Sequence, residues 1–264
     1  MSSPNDAVLF DVEDGVARIR FNRPAALNSI DGALARGFLA ACEAASQRPD
    51  VRVVVLSGAG RAFMAGGDVR RMREAGANAA PMVDALLGLI NPALLLLANL
   101  AQPVLASVHG AVAGAGVGIA LAADLAIAAD DTQFNLAYGR IGTTPDVGTT
   151  WMLPRVVGLR RALEMALLSE TFDAAEALRL GLVNRVVPRA TLEAQTDALA
   201  RRLASGATAA YGRAKRLLRG AFDATLPQQL QAERGAFIES TRTADFVEGV
   251  SAFVEKRPPR FSGS

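Results

Sequence analysis

The chain has 264 residues, about half of them apolar and a fifth charged, with a formal net charge of only +2. That length and composition suit a soluble chain that buries a sizeable core without staples. A single cysteine, Cys42, excludes an internal disulfide and a Cys-rich zinc site, and a single histidine, His109, excludes a His-based metal cluster.

The pI near 9 reflects arginine outnumbering lysine, since the only lysines are Lys215 and Lys256. No dense basic block is present, which argues against nucleic acid as a partner. The N-terminal MSSPNDAVLF lacks the charged and apolar regions of a signal peptide. The apolar run PALLLLANLAQPVLASV is interrupted by Asn99, Gln102 and Pro103, too often for a membrane span. The cytoplasm is therefore the expected compartment.

VLFDVEDGVARIRFNRP predicts two strands around an Asp14-Gly15 turn. Asp31 is placed to cap a helix running to about Ala45. The β-branched run 51–58 predicts a buried strand, followed by a Gly-rich loop, GAGRAFMAGGDV. A helix is expected from Pro81 to about Asn99, bent or broken at Pro92, with a loop near 73–80 before it. Residues 103–110 predict a second buried strand that enters another small-residue loop, GAVAGAGVG, then a helix, then a strand over 125–129. Strand, loop and helix in repetition point to an α/β fold with crossover connections. Beyond Trp151 the pattern is mostly helical: LRRALEMALLS, then TFDAAEALRLG closed by Gly181, a strand in GLVNRVVP, and amphipathic helices from Thr191 to Phe253.

Two loops share one design. Ala65-Gly66-Gly67-Asp68 and Gly114-Ala115-Gly116 each follow a buried strand, consist of small residues and lead towards a helix. Small residues let backbone approach a ligand, and free N–H groups at helix starts favour negative charge. Two such N–H groups converging on one point would form an oxyanion hole. For either loop taken alone, close helix–strand packing is the favoured explanation, because Gly-rich loops are common. Neither is a P-loop, because no Gly-Lys-Ser/Thr follows, and GAVAGAGVG does not fit G-x-G-x-x-G because residue 119 is Ile.

Together the motifs resemble one family. FNRPAALNSID (21–31), RAFMAGGDV (61–69), the block PVLASVHGAVAGAGVGIALAADLAIAADDTQF (103–134), ALRLGLVNRVVP and FVEKRPPRF resemble, in order, the segments of the crotonase (enoyl-CoA hydratase/isomerase) superfamily. The resemblance implies a crotonase (ClpP-like) fold. Its spiral of β-β-α units would form the core over 1–195, with a C-terminal helical oligomerisation region over 196–264. It implies homotrimers, often paired into hexamers, with an acyl-CoA thioester as substrate, no prosthetic group and no metal. By position, the backbone N–H groups of Ala65 and Ala115 would hold the thioester oxygen. Gly66, Gly67 and Asp68 would lie along the CoA-binding stretch, and Arg23 and Leu27 near the nucleotide. Ala25 and Ala26 stand where relatives often carry charge, so one CoA-phosphate contact would be lost or supplied by an arginine.

The chain departs from the hydratase pattern. The two positions at which hydratases of this family usually carry glutamate fall on Gly118 and Tyr138. One acid remains nearby, Asp146, in the stretch IGTTPDVGTTW. Family members that shift double bonds resemble this chain in carrying an Asp in this place, and the segment AYGRIGTTPDVGTTWMLPRVVGLRRALEMALL especially resembles the ring-epoxide isomerase of phenylacetate breakdown. A lone carboxylate suits isomerisation, because it can take a proton from one carbon and return it to another. Asp146 also fits an N-cap before VGTTW, which would keep it ionised.

The neighbouring polar residues have plainer readings. Tyr138 is expected to pack as an aromatic or to face the acyl pocket, and Trp151 to lie in the core. His109 and Cys42 are expected to be structural, Asp68 to cap a helix or contact nucleotide, and Lys256 to be solvated. Three alternatives stand beside the isomerase: a hydratase with rearranged acids, an enzyme using Asp146 as nucleophile on an aromatic acyl-CoA, and a non-catalytic acyl-CoA or RNA binder.

Overall fold

The structure is a computed structural model and describes residues 6–264. The expected hairpin forms from β1 (Val8–Glu13) and β2 (Val16–Phe21), with Glu13 opposite Val16 across the Asp14-Gly15 turn. Helix α1 (Gly32–Gln47) is capped by Asp31, whose carboxylate accepts from the Leu34 N–H at 2.9 Å.

Thereafter the chain repeats one unit. A strand in a larger sheet leads to a three-residue strand in a smaller sheet, then to helix. The first turn is β3 (Val53–Gly58), β4 (Ala62–Met64), α2 (Val69–Ala75) and α3 (Ala79–Asn99). The second is β5 (Val104–Val108), β6 (Ala111–Ala113) and α4 (Ala115–Ala122). The third is β7 (Leu125–Ala129), β8 (Gln133–Asn135), α5 (Thr149–Val157) and α6 (Leu159–Leu168). Strand β9 (Phe172–Asp173), α7 (Ala174–Arg179) and β10 (Arg185–Val187) then close both sheets. The larger sheet runs β1-β2-β3-β5-β7-β10, parallel from β2 onward, and the smaller runs β4-β6-β8-β9. This is the spiral of β-β-α units expected of the crotonase fold.

Residues alternate faces along a strand, so a sheet covered on both sides must be apolar at every position. In β3, Val54 and Leu56 join the main core, while Val53 and Val55 join a second core beneath α8 (Leu192–Ala204) with Leu199 and Ala200. The main core is centred on Phe21, whose ring meets Phe38 and Phe63 edge-on at 5.3 and 5.6 Å. Helices α9 (Thr208–Gly220), α10 (Leu226–Ser240) and α11 (Ala244–Glu255) complete the chain. The boundary expected between 195 and 196 falls inside α8, whose Leu192, Leu199 and Ala200 pack against the larger sheet.

Several local expectations are corrected. Helix α3 runs unbroken through Pro92, because Pro92 and Gly88, whose carbonyl the ring would crowd, both lie on the exposed face, where water can satisfy the freed groups. The 73–80 loop is largely helical, formed by the end of α2 and a single turn over Gly76–Asn78. By length and composition Val69–Asn99 could cross a membrane, but here Ile90, Ala93, Leu94 and Leu97 are buried and α3 packs on α1. Trp151 is not in the core. It is 48% exposed on α5, with the Arg155 guanidinium 3.9 Å from its ring centroid.

Candidate active site

Strands β4 and β6 are parallel neighbours, so the two small-residue loops leave the same end of the smaller sheet side by side. They touch through backbone. Gly66 has φ +93°, and a Cβ there would stand 2.9 Å from the Ala113 carbonyl oxygen and 3.4 Å from the Ala115 nitrogen. Only glycine fits that approach. As the first residue of α4, Ala115 has an N–H without an intrahelical acceptor.

The Ala65 N–H donates to the Leu27 carbonyl at 3.0 Å. Residues 27–30 lie alongside 65–68, since the Ile30 N–H donates to the Gly66 carbonyl at 2.8 Å and the Asp68 N–H to the Ile30 carbonyl at 3.2 Å. Leu27 and Asn28 are both left-handed, at φ 50° and 56°. Buried Asn28 holds that turn. Its Nδ2 donates to the carbonyls of Ala59 (2.9 Å), Ala62 (2.8 Å) and Phe63 (3.1 Å), and its Oδ1 accepts from the Arg23 N–H at 2.8 Å.

Arg23 is also engaged. Its guanidinium donates to the Ser29 carbonyl and pairs with Asp31 at 3.1 Å and with Asp68 at 3.6 Å. Arg71 bridges the same two carboxylates at 3.4 and 3.7 Å. Arg23 and Asp68 therefore sit together beside the Ala65 loop, in one charge cluster whose outermost cation is Arg71. Asp68 caps α2 by accepting from the Arg71 N–H at 3.4 Å.

Asp146 does not cap α5. Gly148 takes that position, without a side-chain bond, and the Asp146 carboxylate turns the other way. Its Oδ1 accepts from the Tyr138 hydroxyl at 2.5 Å. Tyr138 is 6% exposed, and Asp146 takes part in no ion pair among the described residues. Burial raises the Asp146 carboxyl above the ordinary carboxylate range, and the Tyr138 bond pulls it back only in part. A charge kept ionised by a helix terminus is thus replaced by one held against burial. Burial likewise pushes the Tyr138 phenol up, with the Asp146 charge adding to the effect.

The loop bearing Asp146 is anchored on the helix that begins at Ala115. A Cβ on Gly118 would lie 2.6 Å from Thr149 Oγ1 and 2.7 Å from the Val147 carbonyl oxygen. Gly118 is about one helical turn from Ala115, so one face of α4 serves both the Ala115 N–H and the Asp146 loop.

His109 is buried, with Nε2 3.0 Å from the Gly60 carbonyl, and burial lowers its pKa. Lys256 is exposed at the end of α11. No group of three or more metal-ligating side chains occurs among the described residues.

The family model described as enoyl-CoA hydratase/isomerase matches residues 11–264. The chain belongs to the enoyl-CoA hydratase/isomerase family. It is 41% identical to a protein of Rhodobacter capsulatus named probable enoyl-CoA hydratase, over 97% of this chain and 98% of the relative. It is 39% identical to the 1,2-epoxyphenylacetyl-CoA isomerase of Escherichia coli, with the same coverage of both chains. A crystal structure from Mycobacterium abscessus, named for an enoyl-CoA hydratase/isomerase, superposes with a TM-score of 0.94 at 37% identity. That match covers 98% of this chain and all of the other. Membership of this family makes the chain an enzyme of the enoyl-CoA hydratase/isomerase type, and the relatives' names are spread over hydration, isomerisation and, in two Arthrobacter proteins 34% and 33% identical over 97% of this chain, dehalogenation of 4-chlorobenzoyl coenzyme A.

Sequence reasoning missed the role of Asn28 and the Tyr138–Asp146 bond. The Leu-Asn-Ser triplet was visible, but the carbonyls it meets come from residues 31–35 positions away.

Proposed function

We propose that this member of the family is an acyl-CoA isomerase in which Asp146 is the proton shuttle. The observation that carries the reading is the filled space at Gly118. Where a hydratase of the family would place its first glutamate, Thr149 and the Val147 carbonyl leave no room even for a Cβ. The second glutamate position holds Tyr138, a neutral phenol. Asp146 is the acid that remains, half-buried and without a cationic partner.

The chemistry balances with one carboxylate. Asp146 takes a proton from C2 of a 3-enoyl thioester, the C–H electron pair enters the dienolate, and negative charge gathers on the thioester oxygen. The Ala115 N–H and the Ala65 N–H are the donors proposed to hold that oxygen, the latter by sharing or leaving the Leu27 carbonyl. Such donors contribute several kcal/mol, about 3–4 each where one has been removed in other enzymes. The same proton then returns at C4, giving the 2-enoyl thioester with no change in mass. Coenzyme A enters as part of the substrate, with Leu27, Gly66, Gly67, Asp68 and the Arg23 cluster proposed along its path. Exposed apolar side chains on α10 and α11, including Phe237, Val247, Phe253 and Val254, support assembly into homotrimers or hexamers.

Hydration is the second reading, favoured by the name of the 41% identical relative. The test incubates the protein and an Asp146→Asn variant with a 3-enoyl-CoA and, separately, a 2-enoyl-CoA, and identifies products by mass and conjugated-thioester absorbance. Movement of the double bond without mass change, lost by about a hundredfold or more in the variant, supports isomerisation. A gain of one water that the variant retains overturns it.

A further inference from the structure

We infer that Tyr138 is the positioning residue of Asp146: its hydroxyl engages Oδ1 and leaves Oδ2 as the oxygen that carries the substrate proton. The inference rests on the Asp146 reading above and adds to it a residue from the position at which hydratases of the family usually carry an acid.

Three observations carry it. The first is the bond itself. At 2.5 Å it lies at the short end of charge-assisted O–H···O⁻ distances, and it is the one side-chain hydrogen bond of Asp146 among the described residues. The second is the cost of a buried hydroxyl. Phenylalanine would fill the same space without a polar atom to satisfy, and a buried phenol hydroxyl needs a partner. Here that partner is the carboxylate proposed for the chemistry.

The third is backbone strain at both ends of the bond. Ala137, just before Tyr138, has φ 59°, and Val147, just after Asp146, has φ 54°. Only seven non-glycine residues among those described have positive φ, and a β-branched side chain resists that region strongly. Two of the seven flank this pair and two more, Leu27 and Asn28, shape the turn beside Ala65. Such strain persists where the surrounding structure over-determines it, and it clusters at functional sites.

The consequence follows from the environment. Burial favours the neutral form of Asp146, and no cation opposes it. The Tyr138 hydroxyl stabilises the carboxylate form, so the base stays available while remaining sheltered from water. Tyr138 is the one titratable side chain bearing on Asp146. When Oδ2 takes the proton, Oδ1 keeps its bond, and the acid is held in place for the return step.

The test is a Tyr138→Phe variant, which keeps the ring and removes the donor. Its fold is checked by thermal unfolding. Isomerisation of the 3-enoyl-CoA is followed over a pH series, beside Asp146→Asn. The expected result is a KM within about twofold of the parent and a kcat lower by about tenfold or more, as for loss of a hydrogen bond to a charged group. The acid limb of kcat/KM should move to higher pH. Replacing tyrosine globally with 3-fluorotyrosine, a stronger donor of nearly the same shape, should move that limb to lower pH. The chain has only two tyrosines, and the second, Tyr211, lies on α9. An acid limb that moves in neither protein overturns the inference even if kcat falls, because packing alone would not move it. An Asp146→Asn variant with full isomerase activity overturns the proposed function itself, and this inference with it.

Discussion

Gly118 on α4 and Thr149 at the start of α5 meet so closely that a single added carbon on Gly118 would lie 2.6 Å from Thr149 Oγ1. The contact fixes the Asp146 loop to the helix that begins at Ala115. It also closes the space that a hydratase of this family would use for an acid.

Gly118→Ala should therefore destabilise the fold by about 1–3 kcal/mol, since the added carbon forces backbone and Thr149 apart. A urea titration measures it, as a lower midpoint with an unchanged slope. Gly118→Glu should produce no hydrated product from a 2-enoyl-CoA. An unchanged midpoint for the alanine variant would show that the two helices are not in this contact.

Asp146→Asn should cost activity and raise stability. The raised folded-state pKa means that the folded chain holds this proton more tightly than the unfolded chain. The stability linked to it is fully present below the ordinary value of 3.8 and is lost as pH rises through the folded-state value. Asparagine carries no such pH-dependent loss and can still accept from Tyr138. Differential scanning calorimetry should show a higher Tm for the variant at pH 8 and no difference near pH 3. Equal Tm values at both would mean that Asp146 is well solvated.

Asn28→Ala should be among the most destabilising substitutions near the site. It leaves three carbonyls and the Arg23 N–H without the partner they now share, and puts alanine at φ 56°. A loss of about 2 kcal/mol or more is expected from the unsatisfied groups. Chemical denaturation checks the magnitude, and a loss within 0.5 kcal/mol, the ordinary range for a surface change, would contradict the described bonds.

Cys42 should be inert in the folded protein. It is fully buried in α1, and burial pushes its thiol far above the usual range. A thiol reagent at pH 8 should label it only in denaturant. Rapid labelling of the native protein would show that α1 opens locally.

The sequence determined the α/β alternation, because buried parallel strands must be apolar at every position and the helices between them must be periodic. It determined the Asp14-Gly15 hairpin, the Asp31 cap and the order of family motifs, each written within a few neighbouring residues. It also singled out Asp146 as the acid left once Gly118 and Tyr138 were set aside. Tertiary structure decided what the sequence left open. The three-residue strands β4, β6 and β8 are too short for any period and exist only as neighbours in a sheet. Pro92 stays helical because its exposed face leaves the freed carbonyl to water. Trp151 lies outside because α5 turns that face outward. Whether Asp146 caps a helix or bonds to Tyr138 depends on left-handed backbone at Ala137 and Val147, conformations that neither residue prefers. Contacts across the fold impose them, and no local stretch of sequence contains those contacts.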